Sequence, residues 1–149
     1  FFDMTGFQST DGAAFLADCV SSKETLDKYQ ITFIYDVAAY LETLERIKTM
    51  RARVYIPAHT EITDDIAPLA QRNIDKVNEI ANRILDLCIS PVNFEAVLQK
   101  LFRAYELTMS FEQYVLVGST VRSYLAWLKD MGRMDIRFED GQLLWQTNS

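Results

Sequence analysis

The stretch RARVYIPAHTEI, Arg51 to Ile62, passes from two arginines through a β-branched and aromatic run into a proline and the only histidine of the chain, His59. Val54, Tyr55 and Ile56 suit a pleated, half-buried strand, and Pro57 belongs where a strand leaves its sheet rather than at its centre. The stretch therefore predicts a strand that delivers His59 to a sheet edge. A lone histidine after a strand is most often a structural or solvated polar group, so its meaning depends on what the rest of the chain brings to that edge.

Upstream, FFDMTGFQS and GAAFLADC are short apolar runs separated by Thr-Asp-Gly, and an Asp-Gly pair between such runs signals a hairpin. Two antiparallel strands are expected, Phe2 to Gln8 and Ala13 to Ala17, with Asp18 at the end of the second. SSKETLDKYQ has a Ser cap and room for one short surface helix. In YDVAAYLETLERIKTM, Val37, Tyr40, Leu41, Leu44 and Ile47 recur at spacings of three and four, which predicts an amphipathic helix over Asp36 to Met50 capped by Asp36. Hairpin, helix and strand in that order point to an α/β or α+β layer.

Downstream, Asp64 to Cys88 reads as a long helix with acidic residues in its first turn and Ile66, Leu69, Ile74, Val77, Ile80, Ile84 and Leu87 on one face. It stops at Ser90-Pro91, because the residue before a proline disfavours the helical region, and this pair is the expected linker. Residues 90–149 then read as a helix capped by Asn93 and a second helical region from Ser110 to Gly132. Gly118 and its β-branched neighbours weaken that region enough to leave one helix or two open. Asp-Gly at Asp140-Gly141 marks another hairpin. Helices followed by a β-hairpin spell a small winged-helix-like domain, so the expected division is 1–89 and 90–149.

A formal charge of -6 on 149 residues repels phosphate backbones and anionic lipid, so nucleic acid and membrane surfaces are not expected partners. In 91–149 the acidic residues slightly outnumber the basic ones, which leaves a winged helix no electrostatic footprint for DNA. Its aromatic residues, Phe94, Phe102, Tyr105, Phe111, Tyr114, Tyr124, Trp127 and Trp145, recur mostly at helical spacing and are expected in the core. No run approaches the about 18 apolar residues of a membrane-spanning helix. Cys19 and Cys88 are far apart and outside any C-x-x-C pair, which fits two buried thiols in a reduced cytoplasmic protein.

Asp18 and His59 are metal-competent side chains at strand ends, yet a hydrolytic zinc site needs three or four protein ligands. Glu61, Asp64 and Asp65 lie close by but suit the N-terminal charges of a helix better than ligation. The run TGFQSTDGAAFLADCV, then YDVAAYLETLERIKTM, then ARVYIPAH and a helix, resembles the C-terminal half of a metallo-β-lactamase superfamily hydrolase over about residues 1 to 88. The resemblance implies part of an αββα domain. It also implies that the strand-end Asp18 bridges two metals (zinc, iron or manganese) and that His59, after a P-x-H strand, binds the second. The family's H-x-H-x-D-H motif is missing, and a further family histidine would fall just ahead of Phe1. The sequence, which opens on two phenylalanines without Met or cap, therefore reads as a fragment whose parent hydrolyses a small-molecule ester, thioester, amide or phosphodiester. The fragment itself is expected to be inactive, without a stoichiometric metal, and prone to form homo-oligomers through apolar faces bearing Phe2, Phe7, Phe15 and Tyr40. The alternatives are a winged-helix interaction or regulatory module without catalysis and, third, a DNA-binding regulator.

Overall fold

In the computed structural model, which describes residues 5–148, the first hairpin turns at the Asp-Gly pair. Ser9 closes it, donating its N–H to the Ala13 carbonyl at 2.8 Å and accepting the Ala13 N–H on its hydroxyl at 3.0 Å. Strand β1 covers Phe7–Gln8 and pairs antiparallel with β2, Ala13–Ala17, in the register Phe7 to Phe15 and Gln8 to Ala14. The expected start at Phe2 lies outside the described residues, and among them the first strand is shorter than the sequence implies, since Thr5 and Gly6 are not strand.

Strand β3, Val54–Pro57, joins the other side of β2 in parallel, giving the order β1-β2-β3. Its outer side meets only Thr63 among the described residues, which exchanges two backbone hydrogen bonds with Tyr55. The proline thus ends a strand at the sheet margin, where no ladder donor is missed. The register slips by one residue between Phe15 and Ala17, and Ala17 adopts a left-handed φ of 48°. Such a bulge bends a strand end and re-aims the side chain that follows.

Helix α1, Lys23–Tyr29, is capped by Ser22, whose hydroxyl accepts the Thr25 N–H at 3.1 Å. Helix α2, Val37–Thr49, and helix α3, Ala67–Leu87, follow the predicted periodicity. Asp65 caps α3 by accepting the Ala67 N–H at 3.1 Å. Leu44 and Ile47 of α2 and Ile66, Ala70 and Ile74 around α3 bury themselves on the sheet face formed by Ala14, Leu16 and Tyr55. Alternation along β2 decides which face this is, because neighbouring side chains point to opposite sides. The Tyr55 hydroxyl ties α2 to β3, donating to the Met50 carbonyl at 2.6 Å and accepting the Ala52 N–H at 3.1 Å.

The chain packs as two compact units, the first taking in residues up to Lys28 and Ala38–Val77, the second Tyr29–Val37 and the residues from Asn78 on. Residues 29–37 belong to the second because helix α5, Phe111–Asp130, holds them. Thr120 accepts the Ile34 N–H at 3.1 Å, and the Ser123 hydroxyl donates to the Tyr35 carbonyl at 2.7 Å. Helix α5 is continuous through Gly118, which settles the open choice in favour of one helix. The cost of a mid-helix glycine is about 1 kcal/mol, and burial of Val117, Val121, Tyr124, Leu125 and Leu128 outweighs it.

Helix α4, Phe94–Ala104, starts at Asn93, whose side chain accepts the Ala96 N–H. Directly before it, just past the expected Ser90-Pro91 linker, Val92–Asn93 forms strand β4, which was not expected. Strands β5, Met134–Glu139, and β6, Gln142–Thr147, make the second hairpin, and the sheet order is β4-β6-β5. Asp140 and Gly141 both have positive φ, 48° and 74°, the two-residue turn whose twist matches paired strands. Phe94, Phe102 and Tyr124 are buried as expected, but Phe111, in the first turn of α5, is 78% exposed, and Tyr114, one turn on, is exposed as well. Secondary structure is therefore mixed α+β. No helix among the described residues is long and apolar enough to cross a membrane.

Candidate functional site

Strands β2 and β3 run parallel, so their C-terminal ends reach the same margin of the sheet. Asp18 follows the bulged end of β2, and His59 lies two residues beyond β3. The Ala58 N–H donates to the Ala17 carbonyl at 2.9 Å, which holds the two strand ends together just past the ladder. His59 Nε2 consequently lies 3.1 Å from Asp18 Oδ1. The fold thus brings together the two residues singled out from the sequence, although 41 positions separate them.

The pair is open to solvent, with 74% of the His59 side chain and 42% of the Asp18 side chain exposed. An exposed contact of this kind gains little because water competes for both partners and both side chains lose freedom. It cannot by itself set this geometry. What sets it is backbone, namely the bulge at Ala17, the Ala58 to Ala17 bond and the turn after Asp18, where the Cys19 N–H donates to the Leu16 carbonyl at 3.3 Å.

Cys19 adjoins the pair but is half-buried rather than fully buried, unlike Cys88. Burial, with the charge of Asp18 adding to it, pushes the Cys19 thiol up to about 11. At neutral pH it is therefore a protonated thiol and a poor nucleophile. Of the acidic residues that follow β3, Asp65 serves as the cap of α3.

Sequence reasoning missed Asn73. It lies in α3 and is 1% exposed. Its amide donates to the Ser21 carbonyl and to the Leu69 carbonyl, both at 2.9 Å, while its carbonyl accepts the Ser21 N–H at 3.0 Å and the Tyr40 hydroxyl at 2.9 Å. An asparagine among apolar α3 positions was the available signal, because a buried amide persists only when its hydrogen bonds are made. Tyr40, taken from the sequence as a purely apolar face residue, has its hydroxyl in this network, and burial raises its pKa well above the ordinary tyrosine range.

No family model matches the sequence, and no curated protein matches it significantly. Solved structures do. A β-lactamase domain protein from Burkholderia ambifaria aligns over 96% of this chain with a TM-score of 0.76 and 16% identity. A metallo-β-lactamase family protein from Thermus thermophilus aligns over 96% with a TM-score of 0.71 and 14% identity. The fold is a metallo-β-lactamase fold. The chain spans 44% of the length of each of these two proteins, so it corresponds to part of what they contain.

Within that fold, a carboxylate and an imidazole in contact are donors that zinc, iron or manganese accept. Asp18 and His59 thus fit such a metal as part of a site. They do not complete one, since among the described residues no group of three or more His, Cys, Asp or Glu is placed to hold a metal ion.

Proposed function

We propose that this chain is the C-terminal part of a metal-dependent hydrolase, with Asp18 and His59 as two of its metal ligands and the other ligands contributed by chain outside this sequence. The observation that carries the proposal is the 3.1 Å approach of His59 Nε2 to Asp18 Oδ1 at the shared end of parallel strands. The metallo-β-lactamase fold and the 44% coverage of its structural neighbours support it. Asp18, with two carboxylate oxygens, suits a bridge between two cations; His59, with one donor nitrogen, suits a single cation. Zinc, iron or manganese, when bound, would supply Lewis acidity and lower the pKa of water. The residues of this chain bind and orient, and the substrate is a small-molecule ester, thioester, amide or phosphodiester.

Residues 90–149 take the part of a winged-helix-like tail in this reading. Its near balance of charge favours protein contacts over nucleic acid. Self-association is part of the same reading, supported by Phe7, Phe15 and Ile56, which align across the three strands on the sheet face turned away from the core. A cytoplasmic location accords with two free thiols.

The test combines metal analysis with a panel of ester, thioester, amide and phosphodiester substrates. It is run on the 149-residue chain, on the longer protein, and on Asp18→Asn and His59→Ala in the longer protein. The longer protein should turn over substrate with metal bound, both substitutions should reduce turnover at least about 100-fold, and the 149-residue chain should be inactive. Stoichiometric metal with turnover in the short chain, or unimpaired turnover in both variants, would sink the proposal.

A further inference from the structure

We infer that Asn73 is a positioning residue for Asp18, fixing the turn that carries this carboxylate to His59. The inference rests on the metal-ligand reading above and adds a residue to it. Asp18 sits on a part-exposed turn, so where its carboxylate lies depends on how both ends of that turn are anchored. At the N-terminal end the anchor is β2, where the Ala17 carbonyl accepts the Ala58 N–H. At the C-terminal end, buried Val20 precedes Ser21, whose N–H and C=O are both taken by the one carboxamide of Asn73. A carboxamide that donates to a residue's carbonyl and accepts from its N–H pairs with it as a strand neighbour does, fixing both position and orientation.

The anchor is itself held. The Asn73 side chain is buried, and the Tyr40 hydroxyl of α2 donates to the same Oδ1 that receives the Ser21 N–H. Asn73 therefore refers the Asp18 turn to two helices of the core. Without it, the carbonyl and N–H of Ser21 lose these partners, and the turn loses its tie to α3. The exposed contact with His59 is too weak to hold it in place.

The experiment compares Asn73→Asp, Asn73→Leu and Tyr55→Phe with the unsubstituted 149-residue chain by amide hydrogen exchange and NMR. Asn73→Asp keeps the acceptor for Ser21 and Tyr40 and removes the donor to the Ser21 carbonyl, so it tests the clamp if Asn73→Leu does not fold. Tyr55→Phe removes two hydrogen bonds of the same unit, to Met50 and Ala52, without touching Asn73 or Ser21, and serves as the control for a merely structural effect. The Cys19 amide bonds Leu16 and not Asn73, so its protection reports the turn rather than the substituted bond. Its protection should fall at least about tenfold in both Asn73 variants, with loss of the Asp18 to His59 contact, and stay unchanged in Tyr55→Phe. Unchanged protection and contact in both Asn73 variants, or equal loss in Tyr55→Phe, overturns the inference.

A second arm titrates Zn²⁺ into the longer protein by calorimetry. Asn73→Asp should weaken Zn²⁺ about tenfold, the lower end of what outer-shell changes cost a metal site. A loosened turn with unchanged Zn²⁺ affinity overturns the link to ligation. No Zn²⁺ binding by the unsubstituted longer protein refutes the metal reading instead, and the exchange data then decide the clamp alone.

Discussion

Gly6 gives the sharpest test of how the first sheet is built. A Cβ at this position would lie 2.7 Å from the backbone oxygen of Phe15, closer than real Cβ contacts come. Phe15 cannot give way cheaply, because it sits in the central strand with Phe7 on one side and Ile56 on the other. In Gly6→Ala the edge strand β1 must therefore move. The loss is bounded by what β1 contributes. The Phe7 and Phe15 rings stack with centroids 4.6 Å apart, an arrangement worth about 0.5 to 1.5 kcal/mol. Ladder hydrogen bonds contribute about 1 kcal/mol each net. Phe7 is 61% exposed, so little buried area is added. The expected cost is about 2 to 3 kcal/mol, below the full value of a core deletion because β1 can detach and leave β2 paired with β3. Trp127 and Trp145, the chain's two tryptophans, both lie in the second unit. Indole fluorescence is thus blind to this change, and amide exchange across β1 and β2 is the assay. A cost below about 0.5 kcal/mol with the two rings still stacked would refute the close-approach argument.

Gly118→Ala should act in the opposite direction, because its added carbon meets Leu98 Cδ2 and Phe94 Cζ at an ordinary 3.6 Å. A gain of about 0.5 to 1 kcal/mol is expected from helix propensity, read as a higher urea midpoint by Trp127 fluorescence; a loss would mean the site is tighter than it measures. Burial pushes both thiols up to about 11 from an ordinary value of 9.0. The folded chain therefore binds more protons than the unfolded chain between those values, and the thiols' contribution to stability is intact below pH 9 and lost as pH rises toward 11. Denaturation midpoints across that window should fall less steeply in Cys88→Ala. Phe7→Ser removes the most exposed ring of the apolar row and should shift the 149-residue chain toward monomer in sedimentation; an unchanged association constant would exclude this face as the contact.

Local signals in the sequence carried much of the fold. Asp-Gly pairs marked both hairpins because tight turns demand positive φ, at Gly12 in the first and at Asp140 and Gly141 in the second, that few residue types supply. Spacings of three and four marked α2 and α3, since burying one helix face requires them whatever the partner. Pro57 ended β3 for a reason internal to its own backbone, the missing N–H. The residue types and strand-end placement of Asp18 and His59 were readable for the same reason, and both lie at the ends that the sequence assigned them.

What the sequence left undecided depends on partners far along the chain. Parallel pairing of β2 with β3, which puts Asp18 and His59 at one margin, is a choice among registers settled only by the sum of contacts beneath the sheet. The bulge at Ala17 has no residue signature, because alanine holds its left-handed φ only with tertiary support. Strand β4 exists because β6 lies beside it, with Val92 opposite Trp145. Helix α5 survives Gly118 because its flanking residues are buried. Asn73 shows the limit most clearly: its neighbours in sequence are ordinary helix, and its meaning comes from Ser21, 52 positions away, whose backbone polar groups would otherwise lose their partners. Periodicity and turn chemistry act within a few residues and can be read in order, whereas a buried hydrogen bond acts across whatever distance the fold closes.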